Sequence, residues 1–185
     1  ENVLRPAIAM IGAVEEPAAI DAPWNLDELR AGRYVEYDHH TSLLVDASRA
    51  GHAMPKWQVP QWAFDEVDEW LVSSPVVITL RETMVQPARN SQVQEWLKLA
   101  QSIKGQYSVV FVRDTAKAHE PLSGFDIYPR AAENVFVRAA LYHRAYCNLF
   151  VGNGPVVWCL FGDAPFLIFK QLVPAIPGWD GGQPE

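Results

Sequence analysis

Pro75-Val76-Val77-Ile78-Thr79-Leu80-Arg81 is the stretch that decides how this chain is read. Between its proline and its arginine the run is continuously apolar or β-branched, with no polar alternation. A strand with one wet face alternates; a strand buried on both faces does not, and double burial is the habit of parallel sheets covered by helices. Toward the C-terminus, a polar loop over residues 81–91 leads to Ser91 and Gln94, spaced as a capping box. The helix they predict carries Val93, Trp96, Leu97 and Ala100 on one stripe and is stopped by Gly105. Val109-Val110-Phe111-Val112 repeats the buried-strand signature. After a loop with Pro121, Gly124 and Pro129, a helix over residues 134–146 places Val137, Ala140, Leu141 and Ala145 on one face. Asn148-Leu149-Phe150-Val151 predicts a third strand, residues 155–161 a short helix closed by Gly162, and Phe166-Leu167-Ile168-Phe169 a fourth strand. This alternation predicts an α/β fold, a Rossmann-like open parallel sheet with flanking helices over residues 75–185, with a loose tail from Pro174.

In the other direction the pattern weakens. Residues 1–74 read as a smaller, irregular N-terminal segment. Residues 3–11 are apolar enough for a strand, residues 25–30 suit a turn or two of helix, and residues 34–57 read as extended chain and loops. Phe64, Val67, Trp70 and Leu71 then fall at helical spacing among acidic residues, ending near Ser73-Ser74-Pro75.

Composition narrows the function classes. The 185 residues are 49% hydrophobic and 20% charged, as in an ordinary globular chain. A net charge of −7, with basic residues scattered, disfavours a nucleic-acid partner. No apolar run approaches the roughly 18 residues of a membrane span, no signal sequence is read, and an opening at Glu1 is expected of a processed or trimmed chain. Cys147 and Cys159 sit among apolar neighbours and are expected to be buried, reduced thiols, which points to a cytoplasmic setting. Dinucleotide-fingerprint, P-loop and serine-hydrolase motifs are absent.

Ligands of open parallel sheets bind beyond the carboxyl ends of the strands. That rule selects the loops at residues 81–91, 113–129 and 152–155. Gly152-Asn153-Gly154-Pro155 joins a buried strand to a helix: its glycines permit close approach and positive φ, and Pro155 fits the first helical position. The N–H groups that follow suit a phosphate or carboxylate, although any strand-to-helix turn favours Gly and Pro.

The run over residues 151–169 resembles the donor-binding segment of GT-B fold glycosyltransferases, with the heptosyltransferase-like branch as the comparison. Asn153, Gly154 and Pro155 match the opening of that segment's short helix, and Gly162 and Pro165 match its close. Where that family places Asp and His, this chain has Gly152 and Val157, so roles specific to those groups do not carry over. A buried strand running into Arg81 is also similar to the start of the donor domain in fucosyltransferase-like GT-B enzymes, where the arginine neutralises the leaving diphosphate. The usual second arginine is replaced by Glu82. The resemblance implies transfer of a sugar from a nucleoside-diphosphate sugar to an acceptor without an essential metal. Arg81 would be the catalytic cation, and Arg89, Asp114, Asn153, Gly154 and Pro155 would join it in binding the donor. The 74 residues before Pro75 are too few for a complete acceptor domain, so a fragment, or a cleft completed by a partner chain or oligomer, is expected. A non-catalytic Rossmann-like module and a sugar-nucleotide epimerase stand as alternatives.

Each of these residues also has a plainer reading. Arg81 could pair with Glu82 as a surface arginine, and Asp114 could cap a turn rather than meet a ligand hydroxyl. Asn134 is a good N-cap, next to Glu133 and Arg138 where GT-B enzymes hold base and ribose. Asp38, His39, His40, Asp46 and His52 form the most metal-like cluster, yet match no ligand spacing, so turn-capping is the expectation there, with a base or acceptor contact as the alternative. Of the seven tryptophans, Trp70 and Trp96 are expected in the core, while Trp24, Trp57, Trp62 and Trp179 are candidates for exposure.

Overall fold

The computed structural model describes Arg49 and residues 56–84 and 87–169. The metal-like cluster at residues 38–52, Trp24, Trp179, the predicted elements before residue 49 and the tail from Pro174 lie outside the described residues. One compact unit runs Val59–Glu185, and all that follows concerns it.

Helix α1 (Gln61–Trp70) opens the unit, followed by strand β1 (Val76–Thr79) and helix α2 (Val93–Ile103). Strands β2 (Val109–Val112) and β3 (Asp126–Ile127) precede helices α3 (Pro129–Glu133) and α4 (Val135–Arg144). Strand β4 (Cys147–Val151), helix α5 (Val157–Leu160) and strand β5 (Phe166–Phe169) complete it. The five strands form one sheet in the order β3-β2-β1-β4-β5, every pairing parallel. The fold is thus an α/β parallel sheet with flanking helices, a Rossmann-like arrangement.

β1 and β2 are buried at every position, as their absence of alternation requires, whereas the equally apolar β5, at the sheet edge, is mostly exposed. On one face Val76, Ile78, Leu80, Val109, Phe111, Leu149 and Val151 pack with Trp96 and Ala100 of α2. On the other, the ring of Tyr142 on α4 meets Phe150 edge-on at 5.3 Å, and its hydroxyl shares a 2.8 Å hydrogen bond with that of Thr79. α1 lies on α4 through buried Ala63 and Val67. Bidentate pairs from Arg144 to Asp68 (2.7 Å each) and from Arg130 to Glu66 (2.8 and 3.2 Å) latch its outer side. The unit therefore extends N-terminally of Pro75 to take in α1.

Several local expectations change. Asn134 caps a helix as expected, its Oδ1 accepting from the N–H groups of Phe136 (2.9 Å) and Val137 (3.2 Å), but α3 forms separately before it. Residues 121–127 contribute a strand too short and polar to read from pattern; its entry is a tight turn with Gly124 at φ 82°. Gly105 follows α2 without positive φ. Ser91 does not cap α2, which starts at Val93 with no side-chain cap; its hydroxyl is taken elsewhere. Trp96 is in the core, whereas Trp70 is 37% exposed and stacks on Tyr128 at 4.3 Å. Trp62 is exposed, as its segment suggested. Both cysteines are free; Cys159 is buried, with its thiol pushed up to about 12 by desolvation, while Cys147 is only partly covered.

Candidate functional site

In the order β3-β2-β1-β4-β5 the chain reverses its direction of growth between β1 and β4, and the crevice beyond the carboxyl ends of those two strands is where such sheets take ligands. The registers bring the ends level: Thr79 pairs with Val112 on one side and with Phe150 on the other. The three loops selected from the sequence therefore emerge side by side.

β1 runs on through Leu80, whose N–H meets the Val112 carbonyl at 2.9 Å, and delivers Arg81 to the switch point. The chain then returns through a 3-10 turn (Pro87–Arg89) so that Ser91 lies against Arg81: the Ser91 N–H donates to the Arg81 carbonyl and the Arg81 N–H donates to Ser91 Oγ, each at 2.8 Å. Asn90 accepts from Arg81 Nη1 at 2.6 Å and brackets Thr83, accepting from its N–H (3.2 Å) and donating to its carbonyl (2.8 Å). Arg89 crosses to the β4 turn, with Nη2 donating to the Gly152 carbonyl at 3.1 Å. The structure thus brings Arg81, Arg89 and the Gly152 turn to one place. Partial burial and the neighbouring Arg89 pull Arg81 below the ordinary guanidinium range, with Asp114 opposing. Arginine stays protonated regardless, so two like charges are held together there.

Asp114, two residues beyond the end of β2, accepts from the Glu82 N–H at 2.9 Å, so its carboxylate ties the loops after β1 and β2 together. Glu82 does not pair with Arg81. It receives Arg113 in a bidentate pair (Nε 2.9 Å, Nη2 2.6 Å), with both side chains about 5–6% exposed and Lys117 at 3.6 Å. The third arm of Arg113 donates to the Glu120 carbonyl at 2.8 Å, and Glu82 and Glu120 together push this guanidinium above its ordinary range. Sequence reasoning missed Asn90, Ser91 and the Glu82–Arg113 pair. The signal available for the first two was their position at the close of a polar loop on the functional edge.

In the β4 turn, Asn153 is extended (φ −142°) and Gly154 opens a 3-10 turn (Gly154–Val156) that runs into α5, with Pro155 at its second rather than its first position. Neither Gly152 nor Gly154 has positive φ. A Cβ on either would meet nothing within 4 Å, so these glycines leave open room rather than relieve strain. Asn153 Oδ1 is buried without a hydrogen-bond partner. Glu133 is engaged by His119 at 2.6 Å, and Arg138 donates to the Ala131 carbonyl. Among the described residues no group of three or more His, Cys, Asp or Glu could hold a metal, and no helix is long and apolar enough to cross a membrane.

A surface hollow of about 430 Å³ lies at the opposite end of the sheet, beside the starts of β2 and β3. Lys104 in its wall is committed to the Gly124 carbonyl (2.7 Å) and the Phe125 ring (5.1 Å). Loop geometry and charge, rather than hollow size, mark the candidate site, because ligands of such sheets are held by the loops at the strands' carboxyl ends.

Compared with protein-family models, curated proteins and solved structures, the chain matches none.

Proposed function

We propose that the crevice between the ends of β1 and β4 binds the diphosphate of a nucleoside-diphosphate sugar, and that the unit is the donor half of a GT-B-type glycosyltransferase. The observation that carries this reading is the pairing of two arginines at the switch point, Arg81 beside Arg89, with Arg89 reaching the Gly152 carbonyl. Glycosyl transfer breaks the bond between the anomeric carbon and the diphosphate oxygen, so negative charge grows on the departing phosphate. Guanidinium groups already in place stabilise that charge without reorganising as it forms. Arg81 and Arg89 take this part, Gly152 and Gly154 leave room for the phosphates, and Asn153 and Pro155 shape the turn. Asp114 contributes by fixing the loop that carries Arg81. The chemistry needs no metal where arginines supply the positive charge.

A second reading, a ligand-binding module without catalysis, is favoured by one observation. The carboxylates of Glu82 and Asp114, the acids beside Arg81 in these loops, are both engaged in structural bonds. Calorimetry against nucleoside diphosphates and their sugar conjugates tests the proposal. Micromolar binding of one diphosphate, weakened roughly 10- to 150-fold by Arg81→Ala, is expected for the loss of a charge-assisted contact. Binding by none of them, or an unchanged affinity in Arg81→Ala, refutes it. Release of free sugar from the bound donor separates the enzyme from the module.

A further inference from the structure

An arginine that must meet an anion gains from being held in its binding orientation beforehand, since ordering a long side chain on binding opposes affinity. Arg81 lies beside a like charge, Arg89. Asn90 holds its guanidinium there. Its Oδ1 accepts from Arg81 Nη1 at 2.6 Å. The same amide is itself fixed, because Oδ1 also accepts from the Thr83 N–H and Nδ2 donates to the Thr83 carbonyl. Turning the amide over would set donor against donor at two of these contacts and acceptor against acceptor at the third, so the network dictates its orientation. Ser91, next in sequence, grips the Arg81 backbone from both its N–H and its carbonyl. Backbone and guanidinium are therefore secured by adjacent residues of the returning loop.

We propose that Asn90 is a positioning residue, whose side-chain carbonyl orients the Arg81 guanidinium for an anionic ligand. The inference rests on the reading of Arg81 as an anion ligand. The test is a double-mutant cycle on the full chain, with inorganic pyrophosphate as the probe, affinity read by calorimetry and stability by urea unfolding. Arg81→Ala alone tests the underlying reading: if wild type does not bind pyrophosphate, or Arg81→Ala binds it equally well, that reading fails and the role of Asn90 falls with it. Given a loss in Arg81→Ala, Asn90→Ala is expected to weaken binding about tenfold, the weight of one charge-assisted bond. The Arg81→Ala/Asn90→Ala protein is expected to bind no more weakly than Arg81→Ala. A merely structural asparagine would weaken binding by the same factor in both backgrounds, and that result, or full affinity in Asn90→Ala, overturns the proposal. Should Asn90→Ala not fold, Asn90→Ser is read in the same cycle, since its shorter hydroxyl keeps a polar group beside Thr83 without spanning to the guanidinium.

Discussion

Replacing Tyr142 by Phe separates the work of a ring from that of a hydroxyl. The ring is fully buried on α4 and meets Phe150 edge-on, a contact that Phe retains. The hydroxyl bonds to Thr79 at 2.8 Å, and deleting it leaves the Thr79 hydroxyl without that partner, so at pH 7 the substitution costs about 1 kcal/mol. Alkaline solution reverses the sign. Burial raises this phenol to about 12 from the ordinary 10.0. A phenol raised on folding contributes its full stability below pH 10 and loses it as pH climbs from 10 to about 12, because the unfolded chain releases its proton first. Two pKa units at 1.36 kcal/mol each give roughly 2.7 kcal/mol in all, of which ~1.4 kcal/mol is lost by pH 11. The wild-type advantage should therefore vanish a little below pH 11 and invert beyond it. Urea unfolding of both full-length proteins, followed by tryptophan fluorescence at pH 8, 10 and 11, reads the difference directly. Tyr128, also raised by burial, is present in both proteins and cancels. A gap between the two proteins that is the same at pH 8 and pH 11 would refute the burial argument.

Glu82→Ala leaves the Arg113 guanidinium buried without its carboxylate, and a loss of about 3–5 kcal/mol is expected in denaturant titrations. Replacing both partners by Met should cost much less, and an equal cost would show that the pair's charge is not what matters. Gly162→Ala would bring a Cβ to 2.8 Å from the Trp158 carbonyl and 3.2 Å from His143, so destabilisation of about 1–3 kcal/mol is expected by thermal melting. Gly152→Ala, with nothing within 4 Å, should stay within about 0.5 kcal/mol of wild type while reducing the room for a ligand.

What the sequence revealed followed from how locally each feature is encoded. β1, β2, β4 and β5 were legible because each is a run of apolar or β-branched residues between turn residues, interrupted only by Asn148 in β4. Asn134 was legible because a cap speaks only to residues two and three positions on. β3 was not, since Asp126–Ile127 is too short to show a period and owes its form to β2. Ser91 and Gln94 had the spacing of a capping box, but the N–H of Arg81 took the serine hydroxyl, a tertiary bond that outweighed the local motif. The same limit governs the site. The strand-end rule brought Arg81, Arg89 and the Gly152 turn into view, because it needs only element order. The pairing of Glu82 with Arg113 rather than Arg81 spans 31 residues, and no spacing rule reaches that far.

The bond between the Glu82 N–H and Asp114, and the buried ion pair beside it, have a mechanical consequence. They weld the loops after β1 and β2 into a single plate, and displacing that plate would mean breaking a desolvated charge pair. Arg89 links this plate to the β4 turn at the Gly152 carbonyl, a contact on the exposed side with open space at the glycines on either side of Asn153. Under the proposed function, the protein rather than the ligand fixes where Arg81 stands, because the residue beside it belongs to that plate.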